Sequence, residues 1–241
     1  MERSIFIGLA VTVLGGCINN PETDETYTLS FPLDVGHKWE YESTVTYNDT
    51  FIYSRHIFTS ITSVDTNPSG FPVFEFKDST DEAINGSPGY DYVGSGCYDY
   101  YEKRPDGLFQ YAGTPGGIHS LWKSTALQPG VQKNVAQVLL APASFKQGWT
   151  YDTSYEISDE KVSLNRAFLG MEKVITKSGS FDCYKFETTG FFNRKSYHYY
   201  YPNIGLIKKV QILDSLELTG ANFNTIRYIR YVEQTTLVSS N

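Results

Sequence analysis

The sequence is poor in the residues that most often carry chemistry. Among 241 residues there are four histidines, three cysteines and two methionines. His37, His56, His119 and His198 share no ligand spacing, so no metal centre is expected. There is no Gly-x-Ser-x-Gly elbow and no phosphate-binding loop. Gly94-Ser95-Gly96 lacks the third glycine and the following helix of a dinucleotide loop. Positive charge is also short. Twenty Lys and Arg face 27 Asp and Glu, for a net charge of −7 and a pI near 5.1. That balance argues against a nucleic-acid partner and against electrostatic adhesion to anionic lipid. No apolar run approaches the ~20 residues of a membrane helix, and no long stretch keeps a helical period. The expectation is a non-enzymatic protein without a cofactor.

The start of the chain is informative. A short segment bearing Arg3 precedes an apolar run from Ile5 to Leu14, and Leu14-Gly15-Gly16-Cys17 follows. Charged start, short apolar stretch and small-residue approach make an export signal. The Leu-Gly-Gly-Cys run resembles the lipobox of bacterial lipoproteins. That resemblance implies that residues 1–16 are removed and that Cys17 is acylated with palmitate-like chains. An ordinary secretion signal with a coincidental cysteine is the alternative. Loss of Glu2 and Arg3 leaves the charge balance unchanged. Residues 17–28 then comprise the lipidated Cys17 and a polar, acidic tether. Ile18 after Cys17, in place of Asp, favours the outer membrane of a bacterial cell envelope.

What the chain does have is aromatic residues. Nineteen Tyr and fifteen Phe point to strands. Trp39, Tyr41, Ser43, Val45 and Tyr47 lie on one parity, with Lys38, Glu40 and Glu42 on the other. Tyr197, Tyr199 and Tyr201 alternate in the same way. Turn signals at Asn48-Asp49, Asn67 to Gly70, Asn85 to Gly89, Pro105 to Gly107, Lys177 to Gly179 and Thr219 to Asn222 divide the rest. The expectation is all-β: a strongly curved antiparallel sheet, half-barrel or sandwich, of about 11–13 strands. Residues 133–140 read as extended chain leading into a strand, and Ile226 to Tyr231 as the site of a bulge.

The body, residues 29–241, reads as one β-rich domain with an internal echo. Trp39-Glu40-Tyr41 and Trp149-Thr150-Tyr151 lie 110 positions apart, as do Phe71, Phe74 and Phe76 from Phe181, Tyr184 and Phe186. Two similar halves, about 31–112 and 142–238, are expected. Recurrent hairpin patterning is the competing explanation.

Candidate sites are few. Asp65-x-Asn67-x-Ser69-Gly70 opens like a calcium loop, but Phe76 stands where the closing acid belongs, so a hairpin turn is expected. Asp78, Asp81 and Glu82 read as a solvated polar loop. With Cys17 acylated, Cys97 and Cys183 remain as an even pair, and a disulfide between them stays open. Tyr98, Tyr100, Tyr199 and Tyr201 are the candidate ligand-face aromatics, because tyrosine joins an apolar face to a polar tip.

The Phe-Pro-Leu opening at residue 31, the Gly-Ser-Phe-x-Cys-Tyr-x-Phe strand and the Tyr-Pro-Asn-Ile-Gly-Leu close resemble a pattern of bacterial envelope lipoproteins of unknown function. The half-open barrel of the periplasmic lipoprotein carrier and its outer-membrane receptor is a looser analogy. Together they imply a lipid-anchored envelope binding module, possessing a concave aromatic face for an apolar or amphipathic ligand. A non-enzymatic protein-interaction or scaffolding lipoprotein with a filled core is the alternative, its partner a lipid or an envelope protein.

Cys17→Ser is expected to leave the precursor unprocessed or to release it from the lipid fraction, as read by mass and membrane fractionation. Unchanged processing and retention would dismiss lipidation.

Overall fold

The computed structural model describes residues 25–67, 69–80, 97–114, 138–157, 160–190, 194–219 and 225–241. The expected signal peptide and residues 17–24 of the expected tether lie outside them, as do Asp81, Glu82 and His119; the end of the 17–28 segment is not a free tether, because Tyr27 and Thr28 pair with Phe145 and Ser144. All regular structure among the described residues is β. The strands are β1 (Tyr27–Thr28), β2 (Lys38–Tyr47), β3 (Thr50–Thr66), β4 (Pro72–Thr80), β5 (Cys97–Arg104), β6 (Gly107–Thr114) and β7 (Val138–Pro142). Then follow β8 (Ser144–Phe145), β9 (Thr150–Ile157), β10 (Glu160–Thr176), β11 (Gly179–Thr189), β12 (Lys195–Tyr201), β13 (Gly205–Thr219) and β14 (Thr225–Ser240).

Twelve strands form one antiparallel sheet in the order β7-β6-β5-β4-β3-β2-β14-β13-β12-β11-β10-β9. β2–β7 make one six-stranded meander and β9–β14 another, and β2 pairs with β14 to join them. Each meander opens on a Trp-x-Tyr segment. The environments of the two tryptophans differ, however. Trp39 is 5% exposed and donates from Nε1 to the Ile204 carbonyl at 2.7 Å. Trp149 is only half-buried, just before the edge strand β9, against Phe186 and Tyr151.

The turns follow local chemistry. Asn48 and Asp49 both take positive φ, 47° and 63°, and link β2 to β3 in two residues. Asn and Asp tolerate that region better than most residues, and such turns match the strand twist. The Asn67 turn is a hairpin connection rather than an ion loop. Asn67 Oδ1 accepts from the backbone N–H of Ser69 at 2.9 Å and Phe71 at 3.0 Å. The register between β13 and β14 slips at Leu213–Leu216 and at Leu218–Thr219, opposite the segment where a bulge was expected.

The sheet curls until it nearly closes into a barrel. One apolar cluster joins Ala141 of β7 to Phe168, Phe186 and Tyr200 of β10–β12, across the seam between the edge strands. Leu29 and Phe145 complete that cluster, so the N-terminal segment and β8 lie across the inner face there. Tyr27 packs on Phe145, Phe168 and Tyr184 at centroid distances of 5.6, 5.3 and 5.6 Å. Phe31 meets Tyr200 edge-on at 5.5 Å. The strongly curved antiparallel all-β sheet expected from the sequence is what forms, and its curl brings one sheet round to supply both facing walls.

Truncating Trp39 to Ala is expected to cost about 3–5 kcal/mol, since it opens a buried cavity and strips the Ile204 carbonyl of its donor. Trp149→Ala should cost no more than about 2 kcal/mol. Denaturant unfolding of the two variants checks the order, and equal losses would contradict the burial difference.

Candidate functional site

Cross-strand register defines the inner face. Trp39 pairs with Thr59, and Thr59 with Asp78. The next row along β2 runs Leu237–Tyr41–Ile57. Beyond it the rows turn polar. One runs Phe168–Phe186–His198–Lys209–Thr235–Ser43–Arg55 across seven strands. Another runs Arg166–Thr188–Ser196–Gln211–Glu233–Val45. Directly paired residues share a face, so these rows line the barrel.

Among the described residues, two adjoining clefts open between the walls. The larger, about 330 Å³, is lined by Arg55, Asp78, Arg194, Lys209, Gln211 and Glu233, among others. The smaller, about 210 Å³, is lined by Phe31, Trp39, Phe76, Tyr101, His198 and Tyr200, with Leu108 and Leu140 opposite. Tyr41, Thr59, Asp78, Leu206 and Lys209 border both, so the clefts share a wall. One end is aromatic. Phe76 stacks on Trp39 at 5.7 Å and meets Tyr101 edge-on at 4.7 Å. The other end is charged.

The charged end is organised around Glu233. Its Oε1 accepts from Ser43 Oγ at 2.7 Å and Arg55 Nη2 at 3.0 Å, and its Oε2 from Tyr231 Oη at 3.0 Å. Asp78 accepts from Thr59 Oγ1 at 2.5 Å. Burial, reinforced by the charge of Asp99, pushes the Asp78 carboxyl up to about 6. Asp99 is also raised by burial, against the pull of Lys209 and of donors on Gln110 and Tyr101. His198 is lowered well below its usual range by burial, then by Arg166 and Lys209, so its ring is neutral at pH 7. Burial raises the phenols of Tyr41 and Tyr101 far above their ordinary value, which keeps both as neutral donors.

The tyrosines singled out in the sequence fall elsewhere. Tyr100 is 1% exposed, but it lies on the face opposite Asp99 and Tyr101, where Oη donates to Glu75 Oε2 at 3.0 Å. Tyr199 is 5% exposed and pairs with Lys208 and Lys185, on the strand face opposite Tyr200. Tyr201, of the same parity, is 36% exposed and meets Phe181 at 5.4 Å. The cleft instead takes their chain neighbours, Tyr101 and Tyr200. Alternation identifies two faces, and only the closed sheet says which is inside. Tyr98 lies on β5, its side chain outside the described residues.

Two further readings change. Asp78 is no loop residue. It belongs to β4, and its parity with Phe74 and Phe76 turns it inward, the one signal that could have marked it. The Cys97–Cys183 bridge is not made. Cys183 is a free, fully buried thiol, and burial pushes it up to about 12. It sits on the face opposite Tyr184, Phe186 and the cleft, on a strand far from β5 in sheet order. The side chain of Cys97 lies outside the described residues.

No family model matches the chain, and no curated protein matches it by sequence. Solved structures do. A candidate lipoprotein from Parabacteroides distasonis is 16% identical with a TM-score of 0.42, over 89% of this chain and 99% of that one. A candidate exported protein from Bacteroides fragilis with YmcC-like fold is 11% identical with a TM-score of 0.41, over 89% and 100%. A LolA superfamily protein from Nitrosomonas europaea is 11% identical with a TM-score of 0.25, over 88% of each. These likenesses are distant, and the architecture described above rests on this chain's own strands.

Because Asp78 holds its proton more tightly folded than unfolded, stability falls as pH rises from about 4 through about 6. Asp78→Asn keeps an acceptor for Thr59 without the charge. It should be more stable than the parent at about pH 7.5, and the gap should narrow as the pH falls and close only near about pH 3.5. Urea unfolding at both pH values tests this, and a gap independent of pH would refute it.

Proposed function

We propose that this protein is a lipid-anchored binding module of the bacterial cell envelope that holds an amphipathic ligand inside its barrel. The observation that carries the reading is the pair of adjoining clefts, about 330 and 210 Å³, inside a nearly closed sheet. Ligand pockets span about 300–1,000 Å³, and a filled core would leave no such space. The lining refines the sequence-based expectation. An aromatic end of Trp39, Phe76 and Tyr101 suits an apolar chain, and a charged end around Lys209 suits a polar head. A purely apolar ligand would leave those charges dehydrated without compensation. The anchor is Cys17, and Ile18 directs the protein to the outer membrane. The reading contains no catalytic step.

The body from Glu25 to Asn241 contains every described strand and serves for the test. Native mass spectrometry should find a co-purified small molecule, and a fluorescent fatty acid should bind saturably. Leu206→Trp, which fills the wall between the clefts, should weaken that binding at least about tenfold, equivalent to about 1.4 kcal/mol. Tyr201→Ala, on the outer face, should leave it unchanged. If no ligand co-purifies and no probe saturates, the binding reading fails and the interaction protein stands.

A further inference from the structure

The polar end of the barrel holds more donors than its own residues satisfy. Arg166 Nε, Thr188 Oγ1 and His198 Nδ1 are buried and have no partner among the described residues, and of the three His198 is the one that lines a cleft. They are grouped by register. Arg166 pairs with Thr188, and Thr188 with Ser196, two positions from His198 on the same face. His198 pairs in turn with Lys209. Arg166 is 2% exposed and meets no carboxylate at ion-pair distance among the described residues. Its guanidinium lies over the rings of Phe186 and Tyr200, at 5.3 and 5.8 Å, and Nη2 donates weakly to Tyr200 Oη at 3.4 Å. Lys209 borders both clefts and makes no ion pair among the described residues, although Asp78 and Asp99 both feel its charge. Folded proteins leave few buried polar groups unsatisfied, and a missing ligand is one of the standard reasons. A buried cation without a carboxylate is costlier still.

We propose that this patch binds the anionic head group, a phosphate or carboxylate, of an amphipathic ligand whose apolar part lies along Trp39, Phe76 and Tyr101. The proposal rests on the binding-module reading and gives its ligand a charge. Lys209 and His198 face the cleft and contact the anion. Arg166 stands behind Tyr200, as a positioning residue that orients the phenol and adds positive potential. One further observation bears on the charge. The chain is acidic overall, at −7, yet Arg55, Arg194 and Lys209 line the larger cleft, where Glu233 is taken up by Arg55 and Asp78 is held by Thr59. Guanidinium and ammonium groups in a dry cleft bind carboxylate and phosphate through charge-assisted hydrogen bonds, stronger than neutral ones.

The test compares decyl phosphate, decyl glucoside and orthophosphate by calorimetry on the Glu25–Asn241 body and on Lys209→Gln and Lys209→Arg. Decyl phosphate should bind at least about tenfold more tightly than decyl glucoside. Lys209→Gln should erase that preference and Lys209→Arg should restore most of it. Circular dichroism confirms that both variants fold. Equal binding of the two decyl compounds, unaffected by Lys209→Gln, overturns the anionic head and leaves the binding module intact. Failure of both decyl compounds to bind overturns the module itself. Orthophosphate binding as tightly as decyl phosphate, and sensitive to Lys209→Gln, keeps the anion site but removes the chain from it.

Discussion

The pairing of β2 with β14 is the constraint on which the rest of this structure depends. Its register runs from Tyr231 opposite Tyr47 to Ser240 opposite Trp39. It joins two meanders whose own hairpins are local. Side chains reinforce it, since Glu233 of β14 takes hydrogen bonds from Ser43 of β2 and Arg55 of β3. Backbone bonds between Lys38 and Asn241, at 3.1 and 3.2 Å, close the end of the ladder. Without this pairing each meander would present a bare edge to solvent. The polar row from Lys209 through Thr235 and Ser43 to Arg55 would also be cut in the middle. The cavity and its charged wall therefore exist only when first and last long strands meet.

The interior of this acidic protein carries charges of both signs. The cleft walls set Arg55, Arg194 and Lys209 beside Asp78, Asp99 and Glu233, where water is scarce and each charge counts for more. Glu233 compensates Arg55 directly. Aromatic rings on the same walls offer hydrophobic surface a few ångströms from the charges. This juxtaposition is what an amphipathic ligand requires.

Much of the architecture is legible in the sequence. Trp39, Tyr41, Ser43 and Val45 alternate because one face of β2 is buried, and all four are. Asn48-Asp49 and Lys177-Ser178 mark hairpins because their turn geometry restricts residue choice. The site was far less legible. Tyr199 and Tyr200 differ by one position and lie on opposite faces, and a period of two cannot say which is inside. Asp78 sits among loop-forming residues, so its membership of β4 was masked by composition. Arg166, Thr188, His198 and Lys209 are spread over 43 positions and meet only through the registers of three strand pairs. No local pattern encodes such a meeting.

The N-terminal segment has a mechanical consequence. Tyr27 and Thr28 pair with only two residues of β8, Leu29 donates to Ala143, and Ser30 receives a bond from Asn203. Three residues beyond β1, Phe31 is already part of the cleft wall. Tension applied to the chain ahead of Glu25 is thus carried by a handful of hydrogen bonds and ring contacts, loaded one after another. The twelve-stranded ladder is reached only after them, through β2. A pull would therefore act first on the segment from Tyr27 to Phe31, which borders the cleft. The end of the body nearest any membrane tether is then also the element through which a force would reach the bound molecule.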